Sequence, residues 1–444
     1  MIVIVIYVLI GIMAYIYFMK KKFVRFLVCY MALMTNLFML LPASSGLRGA
    51  DIALLVTFLL FLTPNKNINS IRNTRDKYRK YVGILLVFTC LELIYTLLSG
   101  AESLVWALKV VRIPLLVSTF FVIRQIPTDE IKKFLKYAFI ITVMDGVLYY
   151  LEFLGIDTLP DVNPMKGLKL LGFSSECNTP IFAFICLFCC LSSRIVSKHR
   201  IFFLIFFIGI LLLTFVRTFL LSFIISAFLY LLIQKDEKSL IYKYVIAGLI
   251  LYPIMTFVFV SKDKAAGADS RSDMQNILSG DFLDPTTNIH AVNGTFAFRI
   301  SMLAERAQYL TSNPQYLFQG VGLIHEDSPN CYNRFKFVLG SPNAGRVNGI
   351  CIIESGDDTW VPIVLRYGLL GTVLYVYFFI IVYRNTRNRK DEYIILAPIA
   401  LFYFLISFSG PFFDRSDFYI IICLILGLLS RLDYEEKFKQ GNYA

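Results

Sequence analysis

The stretch SKDKAAGADSRSDMQNILSG (261–280) opens a hydrophilic block, Ser261–Asp358, inside a sequence that otherwise reads as lipid-soluble. Hydrophobic residues make up 57% of the 444 and charged ones only 17%, with a mean hydropathy of +0.67. Soluble domains carry about a quarter charged residues. That deficit, with recurring apolar runs of about 17–20 residues, predicts an all-α polytopic membrane protein. No alternating ten-residue segments of the kind a barrel needs are present.

Working outward from the block, about thirteen spans are expected. They cover 2–19, 24–42, 47–63, 81–98, 104–123, 134–153, 178–195, 201–216, 218–233, 243–260, 361–383, 394–410 and 418–430. The organisation is therefore residues 1–260 as spans one to ten, 261–358 as one large loop, and 359–444 as three further spans and a tail. Orientation follows from Lys and Arg. Loops placed inside hold 27, whereas the short loops placed outside hold five: Arg48, Lys166, Lys169, Arg217 and Arg415. Long translocated loops escape this rule, so the eight in the block do not count against an outer placement. The N-terminus and the block are expected outside, and the C-terminus in the cytoplasm. The first apolar run has no basic leader and no small-residue cleavage site, so it reads as a retained span.

The net charge of +12 is distributed in short clusters between apolar runs, which argues against a nucleic-acid partner. No glycine-rich nucleotide loop or G-x-S-x-G occurs, and His199, His290 and His325 are too dispersed to form a recognisable metal site. No cofactor or metal is expected. Most cysteines lie in spans, where small apolar packing accounts for them. Cys331 and Cys351 share the block, and a disulfide between them is open in an oxidising compartment.

Charges inside spans are functional candidates by default. Arg217 in LLLTFVRTFLLS (211–222) is the only charge between Arg200 and Lys235; an arginine snorkelling from a helix end is the structural alternative. Lys109 and Arg112 in LVWALKVVRIPLLV (104–117) lie three apart and share a helix face. They could line the bundle interior or begin an interfacial helix, with Glu92, Asp145 and Glu152 as partners.

Within the block, FAFRISMLAERAQYL (296–310) has helical periodicity and predicts an amphipathic helix near 295–311. Arg299 and Arg306 are seven apart, hence on one face two turns along. Paired guanidiniums suit a phosphate group; a solvated face with Glu305 as local partner is the alternative. GDDTWVPIVLRYGLLG (356–371) then places Asp357 and Asp358 just before Trp360, which has the position of an interfacial aromatic. Neighbouring carboxylates hinder each other's ionisation, which suits one of them to act as a general base near neutral pH. Helix capping by Asp358 or Thr359 is compatible with Asp357 in that role.

Four pieces in order resemble the bacterial O-antigen ligase and O-antigen polymerase superfamily. LGFSSECNTPIFAFI (171–185) is similar to its Gly-Phe…Asn…Ala stretch, and LLLTFVRTFLLS to its T-x-S-R element, with Val216 where serine is common. FRISMLAERAQYLTSNPQYLFQGVG (298–322) resembles its Arg-bearing helix followed by Asn-Pro…Gly-x-Gly. DDTWVPIVLRYGLLG (357–371) resembles the His-Asn…Gly-Leu-x-Gly motif of the ligases, with Asp357 in the histidine's place and Asp358 in the asparagine's. That departure favours a polymerase over a ligase.

The resemblance implies a glycosyltransferase of a bacterial cytoplasmic membrane, working on its outer side. It would join polyprenyl-diphosphate-linked repeat units into O-antigen, capsular polysaccharide or exopolysaccharide, without nucleotide or metal. Asp357 and Asp358 are then the catalytic candidates, and Arg217, Arg299 and Arg306 the diphosphate ligands. Lys109, Arg112, Lys169, Asn178, Trp360 and Arg366 are candidates for further substrate contact. Expected partners are the lipid-linked oligosaccharide, membrane lipid, a flippase and a chain-length regulator. A ligase acting on a glycolipid, and a flippase or secondary transporter, are the competing readings. The sequence has no half-to-half repeat of the kind many transporters show.

Overall fold

The computed structural model describes residues 2–38, 48–63, 74–156, 164–165, 170–171, 179–192, 195–196, 198–213, 217–233, 296–335, 337, 339, 353, 358–389, 391–410 and 412–439. Among them the regular structure is mainly helical, with a two-residue antiparallel ladder in which Pro164 pairs with Leu171 and Met165 with Leu170, and single bridge residues at Phe337 and Asp358.

The long helices are α1 (Ile2–Met19), α2 (Phe23–Met34), α3 (Gly49–Leu62), α4 (Lys77–Leu98) and α5 (Leu104–Leu115), which continues through a 3-10 turn, Leu116–Thr119, to Phe120–Ile123. Then come α6 (Thr128–Phe153), α7 (Thr179–Leu191), α8 (Arg200–Leu213), α9 (Arg217–Ile233), α10 (Phe296–Ser312) and the short α11 (Pro329–Arg334). The chain ends in α12 (Trp360–Thr386), α13 (Leu396–Ile406) and α14 (Ser416–Lys439).

Among the described residues, six segments are long and apolar enough to cross a membrane: α1, α4, Leu104–Ile123, α6, α12 and Glu392–Ser409. Five more apolar helices, in α2, α3, α7, α8 and α9, are shorter. The expected span 24–42 stops early for a local reason. Thr35 turns its hydroxyl back on the Met31 carbonyl at 2.8 Å. Asn36, Leu37 and Phe38 then all adopt positive φ, between 48° and 56°, which no right-handed helix can absorb. The twelve residues of α2 reach roughly 18 Å, short of a ~30 Å hydrocarbon core. The expected span 243–260 lies outside the described residues.

The centre of the bundle is α14. Phe418 to Cys423, Ile425, Leu426, Leu428, Leu429 and Leu432 are all buried, so the helix is apolar around its whole circumference rather than along one stripe. It packs against α2, α4, α5 with its continuation, and α6. Its last two turns carry Arg431, Asp433, Glu435 and Glu436 beyond the apolar part.

Charges separate to the two ends. At one end Arg124, 1% exposed, pairs with Asp76 at 2.7 Å, and Asp76 also accepts from Ser430 at 2.8 Å. There Lys77 meets Asp433 at 3.4 Å, Lys132 meets Glu392 at 2.9 Å, and Arg389 bridges Asp391 and Glu436. Burial alone would raise the Glu435 carboxyl; hydrogen bonds from Arg431 and Thr128 outweigh it and hold the group below its ordinary value. At the other end Ser416 donates to the Met34 carbonyl at 2.8 Å, Arg112 pairs with Asp51 at 3.3 Å, and Asn330 donates to the Ala101 carbonyl at 3.2 Å.

One helix is broken. Gly368 sits at φ 58°, ψ −157° inside α12, dividing it into an eight-residue head and a long apolar stem. The segment Leu317–Gly322 fills the break. Val321 N–H donates to the Leu365 carbonyl at 2.9 Å and Gly322 N–H to Arg366 at 3.2 Å. In return Leu369 and Leu370 N–H donate to Leu317 and Phe318 at 2.9 and 3.0 Å. A Cβ on Gly368 would stand 2.5 Å from the Gly320 nitrogen, and one on Gly320 2.3 Å from the Arg366 carbonyl oxygen. Gly83, within α4, has nothing within 4 Å of such a Cβ. Gly368→Ala should therefore cost about 1–3 kcal/mol or more, whereas Gly83→Ala should be neutral or stabilise by up to about 1 kcal/mol. Thermal unfolding of the two variants in detergent checks this; equal melting temperatures would remove the strained contact.

Candidate functional site at the broken helix

The two arginines of α10 share a helix face but not an environment. Arg306 is fully buried: its Nη2 donates to the Leu339 carbonyl at 2.8 Å, and the guanidinium lies 4.0 Å from the Phe337 ring centroid. Glu305, hydrogen-bonded to Arg306, accepts the Leu339 N–H at 3.2 Å. The pair thus grips both polar groups of residue 339. Tyr309 stands edge-on to Phe335 and Phe337, which stack on each other at 5.5 Å. Arg299, two turns earlier, is half-buried. The alignment read from the seven-residue spacing therefore holds along the helix, yet Arg306 is spent on the protein's own backbone.

Asp358 is 2% exposed, and its Oδ1 accepts the Trp360 N–H at 2.6 Å just ahead of α12, whose N-cap, Thr359, makes no side-chain cap bond of its own. Thr359 is tied to the 407–412 turn: its N–H donates to Ser407 at 3.1 Å, and its hydroxyl accepts from Phe412 N–H at 2.7 Å and bonds the Gly410 carbonyl. Trp360 does not stand in an interfacial aromatic belt. It is 3% exposed, with its indole N–H on Ser407 Oγ at 2.8 Å and its ring among Phe404, Phe408 and Phe413. The turn after α13 folds back over the head of α12 and encloses it.

Arg366 is also enclosed. Its Nε donates to the Ile324 carbonyl at 3.1 Å, and its Nη1 lies 3.8 Å from Asp414. With the Gly322-to-Arg366 backbone bond, this residue fastens both sides of the break. On the flank, Thr96 of α4 accepts the Leu323 N–H at 2.8 Å, and one turn earlier Glu92 is buried with an oxygen that has no hydrogen-bond partner among the described residues.

On α5, Lys109 is exposed and its ammonium lies 3.7 Å over the Trp106 ring, which meets His325 at 4.9 Å. Arg112 takes Asp51 as its partner, so the cation on α5 is answered from α3 and not by Glu92, Asp145 or Glu152. Glu102 is buried at the entry to α5, accepting from Ser103 N–H at 2.9 Å.

The structure thus joins Arg366 to the docked Leu317–Gly322 segment and places Asp358 and Trp360 at the head of the same helix, while Lys109 and Arg112 lie on α5, which reaches the chain beyond the segment through Trp106 and His325. Asp357, Lys169, Asn178 and Cys351 lie outside the described residues, and of Arg217 only its place at the start of α9 is described. Cys331, on α11, is buried in a cluster with Phe335, Phe337 and Ile324. Among the described residues no three His, Cys, Asp or Glu side chains converge as metal ligands. Sequence reasoning missed Thr96, Asp414 and Ser407. A threonine in an apolar helix and a serine after one carry no signal of their own; Asp414 lies in a charged cluster, DRSD, that was read only for topology. No protein-family model and no curated protein matches the sequence.

The enclosure of Arg306 separates the two α10 arginines experimentally. Arg306→Ala removes the charged partner of Glu305 and the donor to the Leu339 carbonyl, a loss of about 3–5 kcal/mol for a buried pair, and should lower the amount of folded protein. Arg299→Ala should leave that amount unchanged. Size-exclusion profiles of the two variants are the check, and a monodisperse Arg306→Ala protein at wild-type yield contradicts the clamp.

Proposed function

We propose that the protein is a membrane glycosyltransferase that polymerises polyprenyl-diphosphate-linked oligosaccharide repeat units on the outer side of a bacterial cytoplasmic membrane. One observation carries this reading. Two of the four pieces that resemble the ligase and polymerase superfamily, the Asn-Pro…Gly-x-Gly segment and the Gly-Leu-x-Gly element, are about 46 residues apart in sequence. They meet as one unit through the four backbone bonds across the break at Gly368. Cations lie on the two helices that flank that unit, Arg299 and Arg306 on α10 and Arg366 in the head of α12.

In the proposed reaction a hydroxyl of the acceptor repeat unit attacks the anomeric carbon of the donor. The bond from that carbon to the lipid diphosphate breaks, and the diphosphate leaves with the electron pair. Asp357 takes the hydroxyl proton, and Asp358, fixed on the Trp360 amide, sets the start of the helix beside it. Arg217 and Arg299 hold the diphosphate, which as a stable anion requires cations and no acid. Arg306 contributes through the loop it holds and not by touching substrate, and Arg366 keeps the break closed. Of the secondary candidates, Lys109 is exposed and lies over Trp106, whose ring meets His325 just beyond this unit.

Reconstituted with lipid-linked repeat units, the wild-type protein should give a polymer ladder. Asp357→Asn should reduce extension by about 10²–10⁴-fold, the usual worth of a general base, leaving the single lipid-linked repeat. Arg299→Ala should abolish the ladder, and Arg299→Lys should restore part of it, because charge returns without the two-pronged donor. Release of lipid diphosphate only when a glycolipid acceptor is supplied would make the protein a ligase. Movement of intact substrate across the vesicle without product would make it a transporter.

A further inference from the structure

The turn between α1 and α2 holds Lys20, Lys21 and Lys22, followed by Arg25 one turn into α2. All four side chains are exposed, and none is ion-paired among the described residues. Most charges at this end of the bundle are matched: Arg124 by Asp76, Lys77 by Asp433, Lys132 by Glu392, Lys133 by Glu130, Arg431 by Glu435. At the α1–α2 corner no local match is available, because no Asp or Glu occurs before Asp51.

The turn is also built rather than loose. Lys20, Lys21 and Lys22 N–H groups donate to Ile16, Phe18 and Tyr17 carbonyls at 3.0, 2.9 and 2.8 Å, with Lys21 at φ 56°. Phe18 is buried against Phe23 and Phe26 beneath it, and the Arg25 guanidinium lies 5.8 Å from the Tyr17 ring centroid. The cations are thereby held within two turns of helix instead of trailing from a tail. Along α1, directly leading to the turn, Ile12, Met13, Ile16 and Met19 are exposed apolar side chains.

We propose that this corner is a binding site for an anionic phospholipid, its phosphate headgroup among Lys20, Lys21, Lys22 and Arg25 and its acyl chain along the exposed face of α1. A soluble phosphate would use the cations and leave the apolar face unexplained; a lipid uses both. Basic residues beside a membrane span each strengthen attraction to anionic headgroups, and several together give selectivity over zwitterionic lipid. The site does not depend on the polymerase reading.

Native mass spectrometry of the full chain in detergent, titrated with phosphatidylglycerol or with phosphatidylcholine of the same acyl chains, tests it. The wild type should retain phosphatidylglycerol preferentially, and K20Q/K21Q/K22Q/R25Q should weaken that retention by about tenfold or more, to the phosphatidylcholine level. Lys132→Gln, which removes a matched cation, should leave it unchanged. Neutralising four cations could invert α1, so K20Q/K21Q, with Lys22 and Arg25 kept, serves as the second variant and should show an intermediate loss. Equal retention of the two lipids by the wild type overturns the proposal, as does unchanged preference in K20Q/K21Q. Displacement of the lipid by inorganic phosphate would make the corner a general anion site and overturn the lipid assignment.

Discussion

A backbone amide or carbonyl away from water must find a partner, and the break in α12 frees several at once. Opening a helix at Gly368 leaves the Leu365 and Arg366 carbonyls and the Leu369 and Leu370 amides without their helical partners. The Leu317–Gly322 segment supplies all four with bonds of 2.9–3.2 Å. Everything at that end follows from this repair. The segment must approach a helix backbone to within contact, which two glycines permit. It must then be held from outside, which Thr96 does from α4 and Arg366 does from α12 itself. The polar end of the bundle is therefore assembled around a defect in a helix and not around a pocket in a rigid wall.

The same economy governs the buried charges. Arg306, Arg366 and Arg124 are among the most buried large side chains, and each donates to a main-chain carbonyl: Leu339, Ile324 and Thr74 respectively. Each has a carboxylate within 4 Å as well. A guanidinium presents five donors in a fixed plane, so it can satisfy a carbonyl and a carboxylate together. In each case the arginine fixes an irregular segment against a helix.

Much of the fold was legible because a helix in an apolar medium must be apolar over most of its length, and that pattern survives in α1, α4, α6 and α12 without knowledge of neighbours. Lengths were less legible. The positive-φ run at Asn36–Phe38 shortens α2, and neither asparagine nor the apolar pair after it announces that conformation. The site was legible in its residue types and not in their surroundings. Arg299 and Arg306 are indistinguishable in the sequence; what separates them is Leu339 and Phe337, more than thirty residues further on. Trp360 was placed by its position at a span's start, whereas the decisive fact is the return of the 407–413 turn over it, a contact set by the packing of α13. Arg112 likewise found Asp51 across some sixty residues, where the local acids had been the natural candidates.

The position of α14 has a consequence for how the molecule is made. The helix that fills the middle of the bundle comes after every helix it packs against along the chain, and chains fold from the N-terminus as they emerge. Until then α2, α4, α5 and α6 surround a vacancy, and Asp76 on one end and Met34 on the other await Ser430 and Ser416. The earlier helices can insert one by one, but they cannot close on each other around an absent centre. Assembly of these helices is thus deferred until α14 has been made, and a chain that stops before it lacks the element the others pack against.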